Sequence, residues 1–172
     1  MEIGGSDNSQ APQIMEVYAK FGLAMYQAQC LERELAIALA TVYGARANRI
    51  ARAELDRLFE SNFHQTLGQL INRMRKTVDV PKDVQLALGQ ALERRNWLAH
   101  HYFWDRAGQF VTAKGRNSMI RELLDIANLL NRTDEQLTDI DRAWATARGI
   151  TEEMRQRALE NLIGGAEDGI SR

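Results

Sequence analysis

The chain has 172 residues, 45% of them apolar and 26% charged, with two prolines, one cysteine and a formal net charge of −1. This describes one folded domain, long enough to bury roughly two-thirds of the surface that its unfolded chain exposes, and excludes a disordered chain or a sandwich of short strands. A net charge so close to zero excludes a global pull on nucleic acid, so any RNA site has to be local.

Residues 1–13, with Gly4, Gly5, Ser6, Asp7, Asn8 and Ser9 running into Pro12, read as a disordered leader. From Ile14 the apolar positions recur at spacings of three and four, through Val17, Phe21, Ala24, Ala28, Leu31, Leu35 and Ala38 to Val42. That heptad-like seam predicts a helix of some 45 Å closed by Gly44. A single apolar stripe of that length requires a long antiparallel neighbour or a second subunit. Glu32 and Glu34 flank the seam, within reach of a cation on a later helix. Cys30, alone among Ala28, Leu31 and Leu35, has no internal disulfide partner and reads as a small packing residue. Ile50 to Phe59 reads as a short helix, and Ser61 or Asn62 as the cap of the next, with Leu67, Leu70, Ile71 and Met74 facing inward. His64 falls in its first turn as a surface or capping residue. Arg73, Arg75 and Lys76 fall at its C-terminal end, where cations suit the helix dipole.

Val80-Pro81 starts the next helix, since proline fits a first turn. On a 100° wheel with Val84 at zero, Val84, Leu88, Ala91, Leu92, Leu98, Ala99, Tyr102 and Phe103 share an arc of about 140°. Arg95 sits in the middle of that arc, with Asn96 and His100 one turn apart at its edge. A guanidinium in an apolar stripe costs several kcal/mol unless it is paired. A fixed cation, an amide and an imidazole are the parts for handling a phosphodiester. The same residues also fit a plain structural role, with Arg95 paired to Glu32 or Glu34 and His100 a half-buried ring.

Arg95-Asn96, three residues, then His100 resembles the RNxxxH signature of the HEPN superfamily, and Arg-x4-His-x-Tyr through Tyr102 is similar to the longer form in HEPN toxins of HEPN/MNT toxin-antitoxin systems. The resemblance implies an all-α, up-and-down bundle of five to seven helices, and metal-independent RNA cleavage by 2′-hydroxyl attack at a composite site between two copies. It implies proton transfer by His100, phosphate stabilisation by Arg95, and orientation of either by Asn96. It also implies a role as a toxin or phage-defence effector, and modification of Tyr102 by a nucleotidyltransferase-type antitoxin using ATP. The place of Tyr102 on the apolar arc argues instead for a core role. A non-catalytic HEPN-like scaffold that docks a partner or nucleotide is the alternative.

Between Arg94 and Arg121 the cations Arg94, Arg95, Arg106, Lys114, Arg116 and Arg121 face one acid, Asp105. Four of the 22 cationic residues are lysines, leaving 18 arginines, the better two-point ligand for phosphate. Arg94, His101, Trp104, Arg106, Lys114 and Arg116 are therefore candidate RNA contacts, with Trp104 or Phe110 able to stack on a base or plug the core. Arg94 and His101 lie across the helix from Asn96 and His100, which makes them peripheral. Adjacent His100 and His101 project too far apart to share a metal, and no metal or other cofactor is expected.

Trp104 to Thr112 reads as a break with at most one turn around Gly108. Gly115 or Asn117 opens a further helix through Ile120, Leu123, Leu124, Ala127 and Leu130. Thr133 with Gln136 resembles a capping box that interrupts it near Arg132 before Leu137, Ile140 and Trp144. Gly149 ends it, Thr151 caps a last helix to Ile163, and residues 164–172 read as a disordered tail. One domain over 14–163, cytoplasmic and with no membrane span, is the expectation.

Overall fold

The computed structural model describes residues 11–46, 65–147, 149–151 and 153. Among them the chain is all-α, with α1 Ala11–Arg46, α2 Leu67–Thr77, α3 Lys82–His100, α4 Tyr102–Asp105, α5 Ala107–Phe110 and α6 Ala113–Ala147. The expected helices at 50–59 and 151–163, the caps Ser61 and Asn62, His64 and the tail lie outside the described residues, apart from isolated positions at 151 and 153.

The seam of α1 is the centre of the core, with Val17, Ala24, Ala28, Leu31, Leu35, Ala38 and Val42 all buried. Two boundaries differ from expectation. The helix begins at Ala11 rather than after residue 13, because Pro12 fits its first turn. The Gln13 side chain also ties this end to α6, donating to Ala113 O at 3.0 Å and Asn117 Oδ1 at 2.6 Å. At the other end α1 runs through Gly44 to Arg46.

Those Gln13 contacts place the N-termini of α1 and α6 side by side. The long neighbour that the seam requires is therefore parallel, not antiparallel. It presents Met119, Ile120, Leu123, Ile126, Leu130 and Leu137 to α1 and α3 across one core; full burial of each such side chain is worth about 1.5–3 kcal/mol. Descending α3 lies between them. Its C-terminal end meets the start of α1, where Phe21 and Phe103 ring centroids are 4.9 Å apart, and Glu32 of α1 meets Arg95 further along. One end of the bundle thus gathers the start of α1, the end of α3 and the start of α6.

Local signals explain the boundaries. Thr66, rather than Ser61 or Asn62, caps α2, in a capping box in which its N–H donates to Gln69 Oε1 at 2.8 Å while its hydroxyl accepts from Gln69 N–H at 3.4 Å. Pro81 precedes α3 as expected. The expected break from Trp104 to Thr112 is instead two single-turn helices, and Gly108 lies inside the second. Thr112, rather than Gly115 or Asn117, starts α6, its hydroxyl accepting from Gly115 N–H at 3.0 Å. The capping box expected at Thr133 does not interrupt α6. Thr133 is buried and donates its hydroxyl back to Leu129 O at 2.8 Å, which a threonine inside a helix does freely. Gly149, at φ +75°, ends the element in a left-handed turn, with Ile150 N–H returning to Ala145 O at 3.0 Å.

Candidate functional site

The motif helix buries Val84, Leu88, Ala91 and Leu98, as its wheel predicts, whereas Ala99 is exposed. Helix α3 stops at His100. His101 turns aside at φ −132°, ψ −21°, and the chain resumes as α4, with Asp105 N–H bonded to His101 O at 2.9 Å. This bend carries Asp105 and Arg106 against the outer face of α3. The result is an open cleft of about 600 Å³ lined by Glu93, Arg94, Asn96, Trp97, His100, His101, Asp105 and Arg106.

Asn96 and His100 therefore do meet in one solvent-facing site, and Arg95 does not join them. Arg95 faces the bundle, where its NH2 lies 2.9 Å from Glu32 Oε1, the two side chains about a quarter exposed. Its NH1 also donates to the Asn96 Oδ1 at 3.3 Å. The cleft's free cation is its neighbour Arg94, which is exposed and has no hydrogen bond or ion pair among the described residues. Arg94 and His101, expected at the periphery, both line the site. Arg94 precedes the bend and joins through its own place on α3, about 60° from Trp97 on the wheel, whereas His101 leaves the wheel at the bend, its ring centroid 6.3 Å from that of His100.

One wall is held rigidly. Trp97 donates its indole N–H to Asp105 Oδ2 at 2.7 Å, and the Arg106 guanidinium stacks on the same ring at 4.7 Å. Arg106 also donates to both carboxylate oxygens of Glu122 on α6, at 2.8 and 2.7 Å. The hydrogen bond from Arg106 to Glu122 holds that guanidinium above its ordinary pKa. Arg106 is therefore a neutralised wall rather than a free RNA contact. Sequence reading missed Trp97 and Glu122. The signal for Trp97 was available, since an indole at 220° on the wheel of α3 faces away from the core stripe.

The remaining candidates separate by exposure. Trp104 is 86% exposed and Lys114 is exposed, so both remain open to a ligand, although neither lines the cleft. Phe110 packs against Tyr18 and Phe103 as a partial core plug. Arg116 is not a surface cation. It is 2% exposed, with Nε donating to Gln13 Oε1 at 2.8 Å and NH1 to Phe110 O at 2.9 Å, fixing the start of α6 to α1 and α5. Tyr102 is 1% exposed and its hydroxyl donates to Met119 O at 3.3 Å, so it stands as a core residue with no access for a modifying enzyme. Burial, with the Glu122 carboxylate adding to it and Arg106 opposing, raises the Tyr102 pKa well above its ordinary value.

No helix among the described residues is long and apolar enough to cross a membrane. Compared with protein-family profiles, curated proteins and solved structures, the chain matches none.

Proposed function

We propose that the chain is a metal-independent endoribonuclease of HEPN type, acting on single-stranded RNA as a toxin or defence effector. The observation that carries the reading is the joint exposure of Asn96 and His100 in one cleft beside the free cation Arg94. A ribose 2′-hydroxyl attacks the adjacent phosphorus, forming a 2′,3′-cyclic phosphate and expelling the 5′ oxygen. The hydroxyl proton must leave, the departing oxygen must gain one, and the extra charge on phosphorus must be met. His100 supplies proton transfer, Arg94 the nearby positive charge, and Asn96 a neutral donor to a phosphate oxygen. Arg95 holds the motif helix to α1 through Glu32, and reaches the phosphate only by leaving that carboxylate. One His100 is one group short of a separate acid and base, and a second copy of the chain supplies the other. An antitoxin partner of nucleotidyltransferase type fits a toxin role, with its target a group other than Tyr102.

A second reading is favoured by one observation, the Arg95–Glu32 pair at 2.9 Å, which satisfies the motif arginine without any substrate. On that reading the chain is a non-catalytic HEPN-like scaffold whose cleft docks a partner or nucleotide. The test is incubation of pure protein with end-labelled single-stranded RNA in EDTA, alongside His100→Ala, Arg94→Ala and Arg95→Ala. Cleavage to cyclic-phosphate ends, abolished by His100→Ala and reduced at least tenfold by Arg94→Ala, supports the nuclease. A wild-type protein that leaves the RNA intact, or a His100→Ala variant as active as wild type, refutes it.

A further inference from the structure

Of the six cations between Arg94 and Arg121, three are engaged within the fold: Arg95 by Glu32, Arg106 by Glu122, and Arg116 by Gln13 and the Phe110 carbonyl. Arg94, Lys114 and Arg121 are exposed, and their side chains have no hydrogen bond or ion pair among the described residues. Two of these three, Arg94 and Arg121, line a second open cleft of about 480 Å³. Its floor is one flank of α6, where Ser118, Glu122, Asp125 and Leu129 follow one another at spacings of three and four over about 16 Å. Arg94 of α3 forms the facing side.

The two clefts adjoin. Arg94 lines both. Arg106 lines the first and Glu122 the second, and the bonds at 2.8 and 2.7 Å between those side chains form the wall that separates them. Since Glu122 has both oxygens on Arg106, a ligand in the second cleft meets Arg94 and Arg121 against one unpaired carboxylate, Asp125. The Ser118 hydroxyl donates to Lys114 O at 3.3 Å, which leaves its lone pairs able to accept. Leu129, half-buried, and Ile126 beneath it add an apolar surface.

Two guanidinium groups suit a phosphate. A seat for phosphate alone would not carry Asp125 beside them, because the carboxylate repels it. A nucleotide accounts for both charges: its phosphate meets the arginines, its base N–H groups or ribose hydroxyl donate to Asp125 and Ser118, and its base lies on Leu129. The volume, about 480 Å³, is within the roughly 300–1,000 Å³ of small-molecule sites. We propose that the second cleft seats the nucleotide next to the one held at His100, a single RNA strand crossing from one cleft to the other beside Arg94. That the strand is cut at His100 rests on the nuclease reading; the seat binds RNA whether or not cleavage follows.

The test is fluorescence anisotropy of a labelled eight-nucleotide single-stranded RNA in EDTA, with His100→Ala as the reference chain so that the RNA stays whole. Arg121→Ala, Asp125→Ala and Lys82→Ala are added to that reference, Lys82 being an exposed cation in the first turn of α3, at the opposite end from the clefts. Circular dichroism checks each fold. Arg121→Ala is expected to weaken binding at least fivefold and to lower the slope of log affinity against log salt by about 0.7. Asp125→Ala should weaken it at least threefold, although it removes a charge that repels phosphate, and Lys82→Ala should stay within twofold. A reference chain that does not bind the RNA overturns the proposal. So does an Arg121→Ala effect under twofold, tighter binding by Asp125→Ala, or an equal loss from Lys82→Ala. Displacement of the RNA by polyglutamate at matched charge would make the cleft a general anion site and overturns it too. Cleavage by chains that keep His100 reports separately on the nuclease. RNA bound in the expected pattern but left whole removes the activity and keeps the seat, whereas RNA cut by Arg121→Ala with an unchanged KM keeps the activity and removes the seat.

Discussion

Replacing Arg95 by leucine separates a structural arginine from an idle one. In a plain bundle an arginine on the core stripe is a burden, and Arg95→Leu stabilises the fold. The geometry predicts the reverse. Arg95 NH2 stands 2.9 Å from Glu32 Oε1. That oxygen is itself buried and has no aligned hydrogen bond, so the contact is ionic and the carboxylate depends on it. At 2.9 Å and an effective dielectric near 20 the gross attraction is about 6 kcal/mol. Most of it is cancelled by desolvation and by fixing two long side chains. With each side chain about a quarter exposed, the net coupling falls between the ~0.2–1 kcal/mol of exposed pairs and the ~3–5 kcal/mol cost of orphaning a buried partner, at about 1–2 kcal/mol. The assay is a double-mutant cycle with Arg95→Leu, Glu32→Gln and the double variant, each unfolded in urea. Arg95→Leu should destabilise by about 1–2 kcal/mol, and much of that loss should vanish when Glu32 is already glutamine. A coupling below about 0.3 kcal/mol, or a stabilised Arg95→Leu, refutes the pairing and frees Arg95 for the cleft.

Gly115→Ala, ordinarily favourable inside a helix by up to about 1 kcal/mol, is expected to destabilise by about 1–3 kcal/mol in urea unfolding, because the added Cβ would collide with the backbone carbonyl of Gln109. Thr112→Ala removes the oxygen that accepts Gly115 N–H and should cost about 1 kcal/mol in the same measurement, with Thr112→Ser losing little. Tyr102 adds a pH dependence. Its folded pKa is raised by burial above the unfolded value, so its contribution is full below that value, about 10, and is lost as pH climbs beyond it toward the folded one. Denaturation midpoints measured from pH 8 to 11 should therefore fall less steeply for Tyr102→Phe than for wild type; parallel curves would contradict the burial of its hydroxyl.

The seam of α1 was legible because spacing alone fixes which face of a helix is buried. The direction of its partner was not, since a parallel and an antiparallel neighbour fill the same stripe. What settles it is a polar contact between residues about a hundred apart, Gln13 with Ala113 and Asn117. Thr133-x-x-Gln136 misled for a related reason: a threonine that caps from outside a helix also satisfies itself from inside one, as its bond to Leu129 O does. Arg116 looked like a surface cation because a guanidinium gives no local sign of burial. The convergence of Gln13 and the Phe110 carbonyl on it helps make that burial tolerable.

The candidate site was half legible, and the rest follows from how widely the cleft wraps the outer face of α3 and from one bend in the backbone. An unbroken helix through Tyr102 would set His101 across from Asn96, while Arg94 flanks Trp97 on that wheel and so lines the cleft from within α3. His101 at φ −132° ends that wheel with neither glycine nor proline to announce it. The bend brings α4 round so that Asp105 takes the Trp97 indole N–H while Arg106 stacks on that ring, and Glu122 of α6 then locks the corner. Those bonds favour the bent chain over the straight one, so the cleft's shape and the exposure of His100 are coupled to a salt bridge one helix away. On the proposed reading His100, Asn96 and Arg94 carry the chemistry. Where they point is decided by Trp97, Asp105, Arg106 and Glu122 acting together.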